Sequence, residues 1–214
     1  MSSASVPAEQ LAKTLAASLQ RSGCELTDDI QSSLLAYIHL LDKWNKTYNL
    51  TAVRDIRQMV PQHLLDSLSI NRYLQGERIL DVGTGAGLPG IPLALANPDK
   101  QFVLLDSALK RTRFVTQAVG ELGVTNVTVV QSRIEDYAPE KGFDTIVSRA
   151  FTAMKDFVSA TARLCNPGGQ LLAMKGRFPT QEINDLPGNW QAQTESLEVP
   201  GIDAERHIVI LSSK

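Results

Sequence analysis

The sequence has only two cysteines, Cys24 and Cys165. Two cannot build a disulfide framework, and nothing in the chain calls for an oxidising compartment. No apolar run approaches the roughly 18 to 20 residues that span a bilayer. The first twenty residues, MSSASVPAEQLAKTLAASLQ, lack a basic start followed by an apolar stretch and a cleavage site, so no secretory signal is expected there. Net charge is also small, −2 with a pI near 5.9. That excludes a generally basic nucleic-acid binder and leaves room for a local basic patch. Internal repeats and low-complexity blocks are missing as well. These absences lead to the expectation of a soluble, cytoplasmic globular protein without a membrane partner. Its 214 residues, 43% hydrophobic, suffice for one large domain or a domain with an appendage.

The first third reads as helix. Leu11, Leu15 and Leu19 recur on one face, and Ile30, Leu34, Ile38, Leu41 and Trp44 form a second stripe. Thr27 is placed to cap that second helix, with Asp28 and Asp29 in its first turn. A third helical stretch runs from about Asp55 to Leu74 and must adjust or restart around Pro61.

After Gly76 the period changes. RILDVG (Arg78–Gly83), QFVLLD (Gln101–Asp106), NVTVVQ (Asn126–Gln131), FDTIVSR (Phe143–Arg149) and GGQLLAMKG (Gly168–Gly176) read as strands. Helical segments at Leu109–Leu122 and Ala153–Leu164 separate several of them. Such alternation implies βαβ units and a parallel sheet. Two final strand-like runs are joined by a short link containing Gly201 and Asp203, too short for a parallel crossover, so they should pair antiparallel. The expected fold class is α/β: a Rossmann-like, doubly wound, mostly parallel sheet ending in an antiparallel hairpin. A helical region, residues 1–75, should precede a ligand-binding domain, residues 76–214.

The most informative stretch is DVGTGAGLPGIPLA, Asp81 to Ala94. Gly83, Gly85 and Gly87 follow a strand and precede a helix, where glycine permits a tight turn and close approach of a ligand. Gly85 to Gly90 even matches G-x-G-x-x-G, the dinucleotide pattern, but alone that match is weak. A phosphate-cradling loop would carry Lys-Ser or Lys-Thr after its glycines, and none follows. Asp81 at the strand's end would repel a pyrophosphate and welcome a cationic ligand. Asp106 ends the next strand, where a carboxylate commonly meets ribose hydroxyls. Acid in the first turn and acid after the second strand fit S-adenosylmethionine, a phosphate-free nucleoside with a sulfonium and an amino group.

The ordered segments WNKTYNLT, HLLDSL, DVGTGAGLPGIPLA, LLDSALKRTRF, QSRIED, VSRAF, MKG and ERHIVIL resemble the GidB family, also called RsmG. These are bacterial methyltransferases of a guanine N7 in 16S ribosomal RNA. The resemblance runs from about Leu40 to Lys214; residues before about Cys24 carry none of it. It implies S-adenosylmethionine contacts at Gly83, Leu88, Ile134, Glu135 and Arg149. Position alone agrees for Ile134 and Glu135, which follow the third strand, where an adenine edge would lie. Arg149 ends a strand at the same edge and suits either the methionine carboxylate or an RNA phosphate.

Guanine N7 carries an in-plane lone pair, so methylation there requires no prior deprotonation. Positioning alone can supply about 7 to 11 kcal/mol. No catalytic residue and no metal are therefore assigned, and His39, His63 and His207 are read as structural. Lys110, Arg111 and Arg113, with Lys175 and Arg177, form the expected RNA-binding rim. Trp44 and Tyr48 are read as core, with base stacking the other use open to Tyr48. The expected partner is 16S RNA, free or within the small subunit or an assembly intermediate, bound by a monomer. A small-molecule methyltransferase and a non-catalytic RNA-binding module are the competing readings; the basic rim opposes the first and the intact loop the second.

Overall fold

The computed structural model describes residues 8–149, 151 and 153–214. Residues 1–7 of the helical region and Ala150 of VSRAF lie outside the described residues. Helices α1 (Ala8–Ser22) and α2 (Asp28–Tyr48) come first. Leu11, Leu15 and Leu19 are buried along α1, as their spacing requires. Thr27 accepts from the Ile30 N–H at 3.4 Å and caps α2. The third helical stretch is broken as its proline demands. It comprises α3 (Ile56–Met59), a π-helical turn (Val60–Leu65) holding Pro61, α4 (Asp66–Leu68) and a 3-10 turn.

The sheet has seven strands in the order β3-β2-β1-β4-β5-β7-β6. Strands β1 (Arg78–Val82), β2 (Gln101–Asp106), β3 (Val127–Gln131), β4 (Phe143–Ser148) and β5 (Cys165–Lys175) are parallel. Helices α5 (Gly90–Ala96), α6 (Leu109–Glu121) and α7 (Met154–Thr161) lie in the crossovers, and α8 (Thr180–Asn184) follows β5. Strands β6 (Trp190–Ser196) and β7 (His207–Ser213) form the expected antiparallel hairpin. β7 inserts between β6 and β5, antiparallel to both. β6 is shorter than its apolar pattern suggests, because Leu197 and Val199 leave the strand and pack inward, 7% and 6% exposed.

The apolar residues of α1 and α2 join one core with Ile79, Phe102 and Leu104 of the sheet and with α5 and α6. The opposite face is covered by α7 and α8 around Leu80, Phe143 and Phe157. Strand order reverses between β1 and β4, so the crevice at their carboxyl ends is where such a sheet binds a ligand.

Candidate active site

The turn after β1 spends its own hydrogen-bond donors. The N–H groups of Gly83 and Thr84 donate to the Leu105 carbonyl, and those of Gly87 and Leu88 to the Thr84 carbonyl. Gly85 N–H donates to Asp106 Oδ2 and Gly90 N–H to Asp81 Oδ2, each at 2.9 Å. A phosphate cradle needs such groups free and convergent. Here carbonyls and two carboxylates hold them, so the turn offers little to a pyrophosphate.

Three glycines set the turn's shape, with φ of 71° at Gly83, 61° at Gly85 and 87° at Gly87. Their surroundings differ. A Cβ on Gly87 would fall 2.5 Å from Ile91 Cδ1, so that glycine serves packing. A Cβ on Gly85 would meet nothing closer than the Gly83 carbonyl oxygen at 3.9 Å. The space above Gly85 is therefore open. Leu88 is buried beside the turn, 4% exposed. Tyr37 of α2 donates its hydroxyl to the Ala86 carbonyl at 2.7 Å, fixing the turn to the helical region.

Asp81 does not lie on the ligand surface, which corrects the expectation of direct contact. It is fully buried beneath the turn, where Oδ2 accepts from Thr84 Oγ1 at 2.7 Å as well as from Gly90. The Thr84 hydroxyl and the Gly90 N–H both donate to this carboxylate and hold it beneath the turn, away from an outward orientation. Oδ1 has no hydrogen-bond partner. Burial pushes this carboxyl up to about 6, against the lowering effect of its two hydrogen bonds. Asp81 thus holds the loop.

Asp106 closes β2 and is 3% exposed. Its Oδ1 accepts from the Ala108 N–H at 2.9 Å, while Arg111 approaches Oδ2 at 3.4 Å. Its partner across the ladder is Gln131, the last residue of β3, which brings Ile134 and Glu135 to the same edge. Ile134 is half-buried and Glu135 exposed. Arg163 steadies that turn through the carbonyls of Ile134 and Glu135. Asp81 faces Val147 across β1 and β4, so Arg149, two residues on, lies beside Gly83. The structure therefore gathers Gly83, Gly85, Leu88, Asp106, Ile134, Glu135 and Arg149 along one edge.

Motif residues without an assigned role form a polar support under this edge. Asn45 accepts from the Thr51 N–H and donates to the Val53 carbonyl. Thr51 Oγ1 meets His63 Nε2 at 3.0 Å. Burial, helped by the Arg149 charge, lowers His63 to about 4, so it is neutral near pH 7. Asp66, three residues on, pairs with both Arg149 and Arg206. His39 is exposed and His207 packs against Phe178.

The basic rim divides. Lys110, Arg113 and Arg177 are exposed; Arg111 is half committed to Asp106. Lys175 is the second correction. It is 12% exposed and turned inward, with Nζ 2.7 Å from Glu182 and 3.1 Å from the Phe151 carbonyl. Trp44 is half-buried against Phe114, but Tyr48 stacks on Trp44 from outside and is 41% exposed, not core. Clefts of about 500 Å³ beside α6 and about 960 Å³ beside the α1–α2 turn do not include the glycine turn.

The chain matches the GidB family, rRNA small subunit methyltransferase G, over residues 30–209. It belongs to that family. It is 55% identical over 190 residues to ribosomal RNA small subunit methyltransferase G of Nitrosococcus oceani, covering 88% of this chain and 89% of that protein. Identity to the same-named protein of Salmonella arizonae is 50% over 196 residues, covering 91% and 95%. Among solved structures, the O-methyltransferase TomG of Streptomyces achromogenes in complex with SAM superposes with a TM-score of 0.59 at 16% identity, covering 98% of this chain and 99% of that one. A putative O-methyltransferase from Klebsiella pneumoniae gives 0.60 at 14% identity, covering 96% and 98%. These two show the Rossmann-like methyltransferase fold. As a member of the GidB family the chain is an S-adenosylmethionine-dependent rRNA methyltransferase. The residues fit that donor: open space lies over Gly85, carboxylates sit at Asp81 and Asp106, and the turn offers no phosphate cradle.

Proposed function

We propose that this GidB-family chain methylates N7 of one guanine in 16S ribosomal RNA. The observation that carries the reading is the turn whose N–H groups are held by Asp81 and Asp106, set at an edge that also gathers arginines. When bound, S-adenosylmethionine supplies an electrophilic methyl group on a sulfonium. Gly83 and Gly85 let the backbone come close to it, and Asp106 offers carboxylate oxygens to ribose hydroxyls. Ile134 and Glu135 line the adenine end, and Leu88 adds an apolar wall. Asp81 acts from beneath, fixing the turn through Thr84 and Gly90 and favouring positive charge above it.

Guanine N7 needs no base, and His63, which packs under the site, is buried, neutral and bonded to Thr51. The protein's task is alignment of N7 with the methyl, with water excluded. Lys110, Arg113 and Arg177 would hold the RNA backbone. N7 in an A-form helix faces a deep, narrow groove, so the target lies in unpaired or opened RNA. We read the chain as a cytoplasmic monomer acting on 16S RNA in the small subunit or an assembly intermediate. No helix among the described residues is long and apolar enough to cross a membrane, and none of those residues cluster as metal ligands. The test is incubation with labelled S-adenosylmethionine and small-subunit RNA lacking the modification, followed by mapping. A single labelled N7-methylguanine is expected. Label on another atom, or on protein alone, overturns the reading.

A further inference from the structure

Asp66 is shared between two guanidiniums brought from distant parts of the chain. Its Oδ2 lies 3.1 Å from Arg149 Nη1 and its Oδ1 2.9 Å from Arg206 Nε. Asp66 sits in α4, Arg149 just beyond β4 and Arg206 just before β7. The carboxylate is 8% exposed, whereas the two arginines keep 26% and 27% of their side chains open. One negative charge faces two positive ones, so the triad carries one positive charge in excess at a half-buried edge. The Asp81 carboxylate also feels the Arg149 charge, and both arginines keep part of their side chains toward solvent.

The two arginines differ in place. Arg149 lies at the β1–β4 switch, beside Gly83. Arg206 lies two strands over: the order runs β4, β5, β7, and His207 pairs with Lys175 at the end of β5. At about 4.8 Å per strand, that sets its backbone about 10 Å from that of Arg149, toward the hairpin. Lys175, its neighbour in the ladder, is committed to Glu182. Arg206 spends Nε on Asp66 and Nη1 on the Glu205 carbonyl, at 2.8 Å. Its remaining N–H groups form part of a planar fork suited to phosphate.

We propose that Arg206 binds a backbone phosphate of the substrate RNA, and that Asp66 is the positioning residue that aims it together with Arg149. This rests on the reading of the chain as an rRNA methyltransferase and adds where the acceptor strand is held. Asp66 couples the two halves of the site, because the carboxylate that orients the donor-side arginine also orients the acceptor-side one.

The deciding variant is Arg206→Gln in the full chain. A glutamine amide can still donate to Asp66, so the fold keeps its tie while the charge is lost. S-adenosylmethionine affinity by calorimetry should stay within about twofold. Affinity for unmodified small-subunit RNA should fall about tenfold or more. The slope of log affinity against log salt should shrink by about 0.7 to 0.9, one phosphate's worth. Arg206→Lys should keep the slope and raise KM for RNA without lowering kcat. An unchanged slope in Arg206→Gln overturns the assignment. So does a loss of S-adenosylmethionine affinity in Arg206→Lys, which decides the matter should the glutamine variant not fold. Failure of the unaltered chain to methylate small-subunit RNA would instead sink the functional reading, with the RNA-binding slopes still judging Arg206.

Discussion

The Gly85 N–H donates to Asp106 Oδ2 at 2.9 Å, latching the turn after β1 to the end of β2. Asp106 therefore has two tasks, holding the turn and facing the ribose. Substitution can separate them. Asp106→Ala strands the N–H groups of Gly85 and Ala108 and should cost about 1–3 kcal/mol of stability along with donor binding. Asp106→Asn keeps an acceptor oxygen for the turn but loses the charge and half the accepting capacity. Its NH2 then faces either the Gly85 or the Ala108 N–H, so it should lose part of the stability that the alanine variant loses and bind S-adenosylmethionine at least about tenfold more weakly. Calorimetry and thermal melts check both; equal donor affinity in the asparagine variant would remove Asp106 from the ribose.

Gly85 and Gly87 both have positive φ, yet their substitution should read out differently. Alanine at Gly87 meets Ile91 at 2.5 Å and adds overpacking to backbone strain, for a loss of about 2–3 kcal/mol. Alanine at Gly85 has open space and pays chiefly the strain, about 1 kcal/mol. Its methyl projects where the donor should lie, so methyl transfer should drop far more than stability does. Denaturant melts beside initial rates decide it. A Gly85→Ala chain with full activity would move the donor elsewhere.

Much of this was legible in the sequence because it rests on local periodicity. The leucines of α1, the Thr27 cap and the strand-end acids need only neighbouring residues to be read. The direction of Asp81 was not. β1 is buried on both faces, so alternation gives no clue to which side a residue points. Tyr48 continues a helical stripe, but it occupies the last residue of α2, where the core has ended. Lys175 reads as a free cation until α8 brings Glu182 against it. The bond between Asp66 and Arg206 joins residues far apart in the chain, and only the β7 insertion beside β5 unites them.

Asp81 and His63 should hide each other's effect on acid stability. Asp81 rises from 3.8 to about 6 on folding, so between these values the folded chain holds a proton that the unfolded chain lacks. Stability from that group falls as pH rises through the window. His63 drops from 6.5 to about 4, so the unfolded chain holds the extra proton and stability rises with pH. From about pH 4 to 6 the two slopes oppose, each at most about 1.4 kcal/mol per pH unit. Asp81→Asn should expose a rising profile and His63→Gln a falling one, measured by urea unfolding at pH 4.5 and 5.5. Parallel profiles in the two variants would contradict both shifts.

The RNA rim should separate into cations that touch solvent and one that does not. Lys110 and Arg113 are exposed on α6, and replacing both by alanine removes two phosphate contacts if the rim holds RNA. The salt slope of RNA binding should then fall by about 1.4 to 1.8. Lys175→Ala should act otherwise. Its side chain is 12% exposed and its ammonium is bonded to Glu182, so its loss leaves that carboxylate without its ion-pair partner, though still accepting from the Met154 N–H, and lowers stability. The slope in that variant should match the unaltered chain, because an ammonium already neutralised inside the fold releases no counter-ions from RNA. Filter binding across a salt series, beside melts of each variant, distinguishes the two. A normal slope in the α6 variant would take that helix out of the RNA interface and leave the β5–β7 side to hold the strand.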